Sequence, residues 1–320
     1  MEPLSEEEVF WEVYINYKAL GAEFHTQISF VDFIDLKIKY DQRLQGKKEN
    51  LCGRLYIAGM KLEDPSLSKE VLLSTLEEVE TCLKMVDHSP SHIMKLAVNP
   101  SMYALVKSEF LRHLDDEIKL MVTSCLSEIM RISAPKVPYN DDMMKEIFQL
   151  IEESFHRLDD TRQPSFDRRV RILETVAKVR SYVVMIDLKC DDLILRMFQC
   201  FFAKIRKYHA GNVITTMQTI LSLILDEEDD ISQQLLSNLL AIWRKEQVVS
   251  PIAHELSKGL VEQKIEKIKY QLTEEELISL GLQVIGHPKM RREQRCFTCQ
   301  GVEQRRGVND SYHLLIAAKQ

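Results

Sequence analysis

The chain has 320 residues, 45% hydrophobic and 28% charged, with a formal net charge of -7 at neutral pH. These are ordinary values for a globular protein, and the acidic balance excludes a whole-chain basic field of the kind that holds nucleic acid. Ten glycines and nine prolines are about half the usual combined share of roughly 12%. No glycine occurs between Gly59 and Gly211. An α/β enzyme needs glycine for tight turns and phosphate loops, whereas long helices joined by short connections do not.

From the N-terminus, Ser5-Glu6-Glu7-Glu8 is a capping box for a short helix carrying Phe10, Val13, Tyr14 and Tyr17, stopped at Gly21. Leu36-Lys37-Ile38-Lys39-Tyr40 alternates with period two and reads as a strand or irregular segment, and 45–50 reads as a linker. Residues 1–52 are therefore expected to be an irregular N-terminal segment. A helical array is expected over 60–272. Its first helix carries Leu72, Leu76, Val79, Leu83 and Val86 after Pro65-Ser66, and a second carries Tyr103, Val106 and Phe110 after Asn99-Pro100.

Ile118, Met121, Val122, Cys125, Leu126 and Ile129 follow at helical spacing, one broad apolar face after an acidic start. Similar faces begin at Val170 (with Leu173 and Ala177), at Val213 (with Met217, Ile220 and Leu221) and at Ile252 (with Leu256 and Leu260). The offsets bracket the roughly 40–47-residue period of HEAT repeats. Between these faces lie their partner helices. Met144, Ile147, Phe148, Ile151, Phe155 and Leu158 mark one, entered through Asn140-Asp141. Ile194, Met197, Phe198, Phe201, Phe202 and Ile205 mark another, capped by Asp191 or Asp192. Leu235, Leu236, Leu239, Leu240 and Trp243 mark a third, entered from the acidic run Asp226 to Asp230. The fold expected is all-α, a HEAT-type solenoid of stacked antiparallel helix pairs, because such a pair buries its apolar face only against its neighbours. A second capping box, Thr273-Glu274-Glu275-Glu276, opens a short helix, and the rest of 273–320 reads as a poorly ordered basic tail.

Catalytic and metal motifs are incomplete. Cys296 and Cys299 form a Cys-x-x-Cys, but His287 and His313 lie too far off for paired zinc ligands. His254-Glu255 begins a metalloprotease helix, yet Lys258 stands where the second histidine is required. Gly281 and Gly286 have P-loop spacing, but His287-Pro288 follows in place of Lys-Ser/Thr. The seven cysteines fit reduced thiols, no stretch reaches roughly 18 apolar residues, and no signal segment opens the chain. A soluble intracellular protein without cofactor is expected. Arg168, Arg169, Arg171 and Lys178 share one helical stretch and are a candidate basic surface. Asp167 and Glu174 interrupt it, which favours a solvated or protein-binding face over a DNA contact.

The segment from Cys125 to Tyr139, then Met144-Lys145-Glu146-Ile147-Phe148 and Pro164-Ser165-Phe166-Asp167-Arg168-Arg169, resembles the precocious-dissociation-of-sisters (sister-chromatid cohesion) family. Ile172 to Ala177, Val184 to Leu188, Asp191 to Ile194 and Met217 to Ile220 extend the likeness, which covers roughly 60–265 and is nearest to plant members. The resemblance implies a nuclear, chromatin-associated regulator with a role in DNA repair and without catalytic residues. It implies a HEAT array that binds the kleisin subunit of cohesin and short motifs of release or protection factors. A monomer working inside a larger complex, touching DNA only through partners and no membrane, is the corresponding expectation.

The family's Ala-Pro-acid-Ala-Pro-Tyr loop, a contact for basic tyrosine-containing peptides, maps onto Ala134, Pro135, Lys136, Val137, Pro138 and Tyr139. Lys136 replaces the acid and Val137 the alanine, so a basic peptide meets a like charge there. A plainer role for Pro135 and Pro138 is to stop one helix and turn the chain into the next. Segments 1–52 and 266–320 and the missing further repeats make the chain read as a truncated relative. The alternative reading is a HEAT-repeat adaptor in an unrelated pathway.

Overall fold

A computed structural model describes residues 51–227 and 231–273, together with Ile278. The expectations for 1–50, and for the tail with Cys296 and Cys299, lie outside the described residues. Twelve α-helices are present among those described, and no strand. They are α1 (Leu51–Lys61), α2 (Lys69–Lys84), α3 (His92–Leu105), α4 (Ser108–Leu111), α5 (Asp116–Ser133) and α6 (Asp141–Ser154). A 3-10 turn, Phe155–Arg157, extends α6. The rest are α7 (Phe166–Val179), α8 (Ser181–Asp187), α9 (Asp191–Lys204), α10 (Gly211–Glu227), α11 (Gln233–Trp243) and α12 (Pro251–Ile268).

The helices stack in two layers. In one, α2 packs on α5, α5 on α7, α7 on α10 and α10 on α12. In the other, α1 packs on α3, α4 on α6, α6 on α9 and α9 on α11. The four similar faces beginning at Ile118, Val170, Val213 and Ile252 all fall in the first layer, on α5, α7, α10 and α12. Each layer covers the apolar stripe of the other, giving the HEAT arrangement of paired helices. Aromatic residues fill the second layer: Phe155 and Phe201 lie 5.3 Å apart between centroids, Phe198 and Phe202 6.3 Å apart, and all four are buried.

Local chemistry sets the boundaries. Ser68, Ser91, Asp115, Asn140, Ser232 and Ser250 each accept a backbone N–H of the first turn of their helix. Helix C-termini are closed by cations from a neighbouring helix. Arg131 of α5 donates to the carbonyls of Leu83 (2.9 Å) and Val86 (2.8 Å) at the end of α2. Arg169 of α7 donates to Ser154 at the end of α6 (2.6 Å), and Lys267 of α12 to Leu225 at the end of α10 (2.7 Å). Each bond satisfies a terminal carbonyl and ties two helices together.

The glycine scarcity has a structural counterpart. Three turns are made by residues in the left-handed region that glycine favours: Arg180 (φ 54°), Lys189 (φ 54°) and Lys245 (φ 61°). Glycine is required at Gly59. A Cβ there would stand 2.6 Å from Ser101 Oγ and 2.8 Å from Ser101 N, so α1 and α3 approach backbone to backbone.

Several expected boundaries are corrected. Among the described residues a helix, α1, already stands ahead of the expected start at residue 60, and it packs on both α2 and α3. Asn99-Pro100 lies inside α3 instead of opening a helix; α3 starts from Ser91 and ends at Leu105, leaving Phe110 on α4 and Tyr103 exposed. Cys190 holds the N-cap position of α9, with Asp191 and Asp192 in the first turn, where their charge complements the helix dipole. Asp226 and Glu227 close α10 rather than open α11. That unfavourable placement is offset by Lys264, whose Nζ lies 2.7 Å from both Asp226 oxygens.

Candidate partner-binding surface

The loop after α5 is held at both ends. The Ala134 N–H donates to the Met130 carbonyl and the Lys136 N–H to the Ser133 carbonyl. Pro135 and Pro138 prevent the helix from continuing, and Asn140 caps α6 by accepting from the Met143 N–H at 3.0 Å. Tyr139 is half-buried, and its hydroxyl donates to the Met102 carbonyl of α3 at 3.2 Å. Burial pushes its phenol pKa well above the ordinary value.

The structure thus gathers Ala134 to Tyr139 into one short turn and divides it by role. Pro135, Lys136 and Val137 are exposed, Ala134 and Pro138 are half-buried, and Tyr139 is a strut to the preceding repeat. Lys136 makes no ion pair among the described residues, and Asp141 and Asp142 follow, exposed, in the first turn of α6.

The candidate basic surface does not exist as one face. Arg169 is 7% exposed and turns inward to the Ser154 carbonyl. Arg168 grips Glu80 with two bonds, Nε to Oε1 at 3.1 Å and a terminal nitrogen to Oε2 at 3.2 Å, while Arg171 approaches Oε1 at 3.7 Å. Of the four, only Lys178 is exposed and takes no part in this network. Helical spacing could show that these residues neighbour one another, but not that a carboxylate 88 positions away collects two of them.

Glu80 is the most perturbed carboxylate among the described residues, and it is 2% exposed. Burial pushes its pKa up, but bonds from Arg168, from the Ser124 hydroxyl (2.5 Å) and from Lys84 (3.0 Å) outweigh that and bring it down to about 2. The hub joins α2, α5 and α7, three successive helices of one layer. Every oxygen is engaged by protein groups, so its chemistry is structural.

One grouping was missed by sequence reasoning. Glu152 and His156, one turn apart across the end of α6, meet Cys200 of α9, and their ligand atoms lie within 4.8 Å of one another. A Glu-x-x-x-His spacing is visible in the chain, but nothing in it points to a cysteine in the next repeat. Separately, an open groove of about 580 Å³ between α9 and α11 is lined by Phe202, Arg206, Asn238 and Val248. No helix among the described residues is long and apolar enough to cross a membrane.

The family model for the sister chromatid cohesion protein PDS5 matches residues 70–274. The sister chromatid cohesion protein PDS5 homolog C of Arabidopsis thaliana is 44% identical over 226 residues, 71% of this chain and 26% of that relative. Homolog D of the same plant is 41% identical over 227 residues, again 71% of this chain and 28% of the relative. The chain therefore spans about a quarter of the length of these curated relatives. A chain in the solved structure of the Pds5–Scc1 complex superposes with a TM-score of 0.55 at 23% identity, covering 63% of this chain and 32% of that one. At that identity the likeness concerns the fold.

Proposed function

The chain belongs to the sister chromatid cohesion protein PDS5 family, and on that premise we propose that it is a cohesin-associated scaffold regulating sister-chromatid cohesion and contributing to DNA repair. The observation that carries this reading is the family match over 70–274, which takes in every helix from α2 to α12. The proposed partners are the kleisin subunit of cohesin and its release or protection factors. The solved Pds5–Scc1 complex, whose fold this chain shares, supports the kleisin part of the proposal. The chain acts in the nucleus by surface recognition and not by catalysis, as a monomer inside the larger assembly. DNA is reached only through its partners, in keeping with a net charge of -7 and with arginines turned inward onto Glu80.

The test is a pull-down of the full chain with kleisin segments and from nuclear extract. Recovery of cohesin subunits supports the reading, and their absence overturns it. The loop has its own test. Lys136 is exposed and unpaired by carboxylates, so Lys136→Glu leaves stability within about 0.5 kcal/mol while strengthening the binding of a basic tyrosine-containing peptide, measured by fluorescence anisotropy. Unchanged affinity would assign the loop a turning role alone.

A further inference from the structure

We propose that Glu152, His156 and Cys200 form a binding site for a divalent transition metal of the zinc class, which clamps one helix pair of the array to the next. Glu152 stands in the last turn of α6 and His156 in the 3-10 turn that extends it. Cys200 comes from α9, which packs on both. The three ligand atoms lie within 4.8 Å of one another, and His156 Nε2 is 2.8 Å from Glu152 Oε1. A tetrahedral zinc ion holds its ligand atoms roughly 3.3–3.7 Å apart, so closing the site takes about 1 Å of side-chain adjustment.

Carboxylate oxygen, imidazole nitrogen and thiolate sulfur are the donor types that zinc accepts, whereas calcium and magnesium favour oxygen alone. Exposure is graded across the site. Glu152 is 3% and Cys200 7% exposed, while the His156 side chain is 55% exposed. The ion therefore has a dry floor and an open side, where water supplies the fourth ligand. Arg196, one turn before Cys200 on α9, lies 3.7 Å from Glu152 Oε2. It occupies the outer-shell place that orients a ligating carboxylate, leaving Oε1 for the metal. Its positive charge opposes a bound cation, and two anionic ligands, Glu152 and the Cys200 thiolate, offset that. Binding releases the thiol proton to solvent.

The experiment uses the full chain carrying Cys296→Ser and Cys299→Ser, so that the Cys-x-x-Cys of the sequence cannot compete, and Co²⁺ as the probe. The expected result is one equivalent of Co²⁺ with a sulfur-to-cobalt charge-transfer band, displaced by Zn²⁺, and a Tm that rises with added Zn²⁺. His156→Gln and Cys200→Ser should each weaken binding by at least about tenfold. His156 is exposed enough for His156→Gln to keep the fold, verified by far-UV circular dichroism, so that variant decides if Cys200→Ser does not fold. Absence of the band, or a band unchanged in His156→Gln, overturns the proposal.

Discussion

The two layers of the array solve one problem, fixing a helix pair to the next, with different chemistry. Across α2, α5 and α7 the joint is a buried carboxylate, Glu80, receiving Arg168, Lys84 and Ser124. Between α6 with its 3-10 turn and α9 the joint is aromatic, Phe155 of the turn against Phe201 of α9, with Phe198 and Phe202 paired one turn apart on α9 itself. The first is directional and responds to protons. The aromatic contact itself carries no charge, although Glu152, His156 and Cys200 belong to the same elements. A buried ion pair fixes the register of three helices more sharply than it stabilises them, because desolvation consumes much of its Coulombic gain. Aromatic burial contributes stability outright.

The largest expected effect is on the aromatic side. Phe201→Ala should cost about 4 kcal/mol in denaturant melts, with the slope of stability against pH unchanged. Glu80→Gln should cost about 3 kcal/mol by leaving Arg168 and Lys84 beside an uncharged, buried partner, and it should also change the response to acid. The folded pKa of Glu80, about 2, lies below its ordinary 4.5. Its stabilising contribution is therefore complete above the unfolded value and is lost as pH falls from 4.5 toward 2. Equilibrium unfolding across that window should show the loss in the parent and a flatter profile in Glu80→Gln. An equal acid response in both would move the proton-sensitive joint elsewhere.

Smaller effects sharpen the comparison at the ends of helices. Gly59→Ala forces a methyl against Ser101 backbone, and about 1–3 kcal/mol of overpacking should appear as a lowered midpoint in urea. Lys189→Gly should have the opposite sign, stabilising by up to about 1 kcal/mol as left-handed strain is relieved, less the entropy glycine adds to the unfolded chain.

What the sequence made legible follows from the range of each signal. The faces beginning at Ile118, Val170 and Val213, the cap at Asn140 and the buried aromatics of α9 are local signals, and they stand in the structure as read. Pro100 was misread as a helix opening because a local breaker signal ignores what the neighbour offers. Gly59 lets α1 come against Pro100 and Ser101, and that packing holds α3 through the proline. Arg168 to Arg171 was misread for the same reason at longer range, since a helical face does not reveal its partners. The Glu152, His156 and Cys200 grouping is the extreme case, with ligands brought together only by the stacking of one repeat on the next.

The hydrogen bond from Tyr139 to Met102 gives the exposed loop a mechanical connection. The turn that presents Pro135 and Lys136 is fastened to the helix pair before it as well as carried by its own. A change in the spacing of the two pairs therefore reaches the turn through this phenol as well as through the helices that flank it.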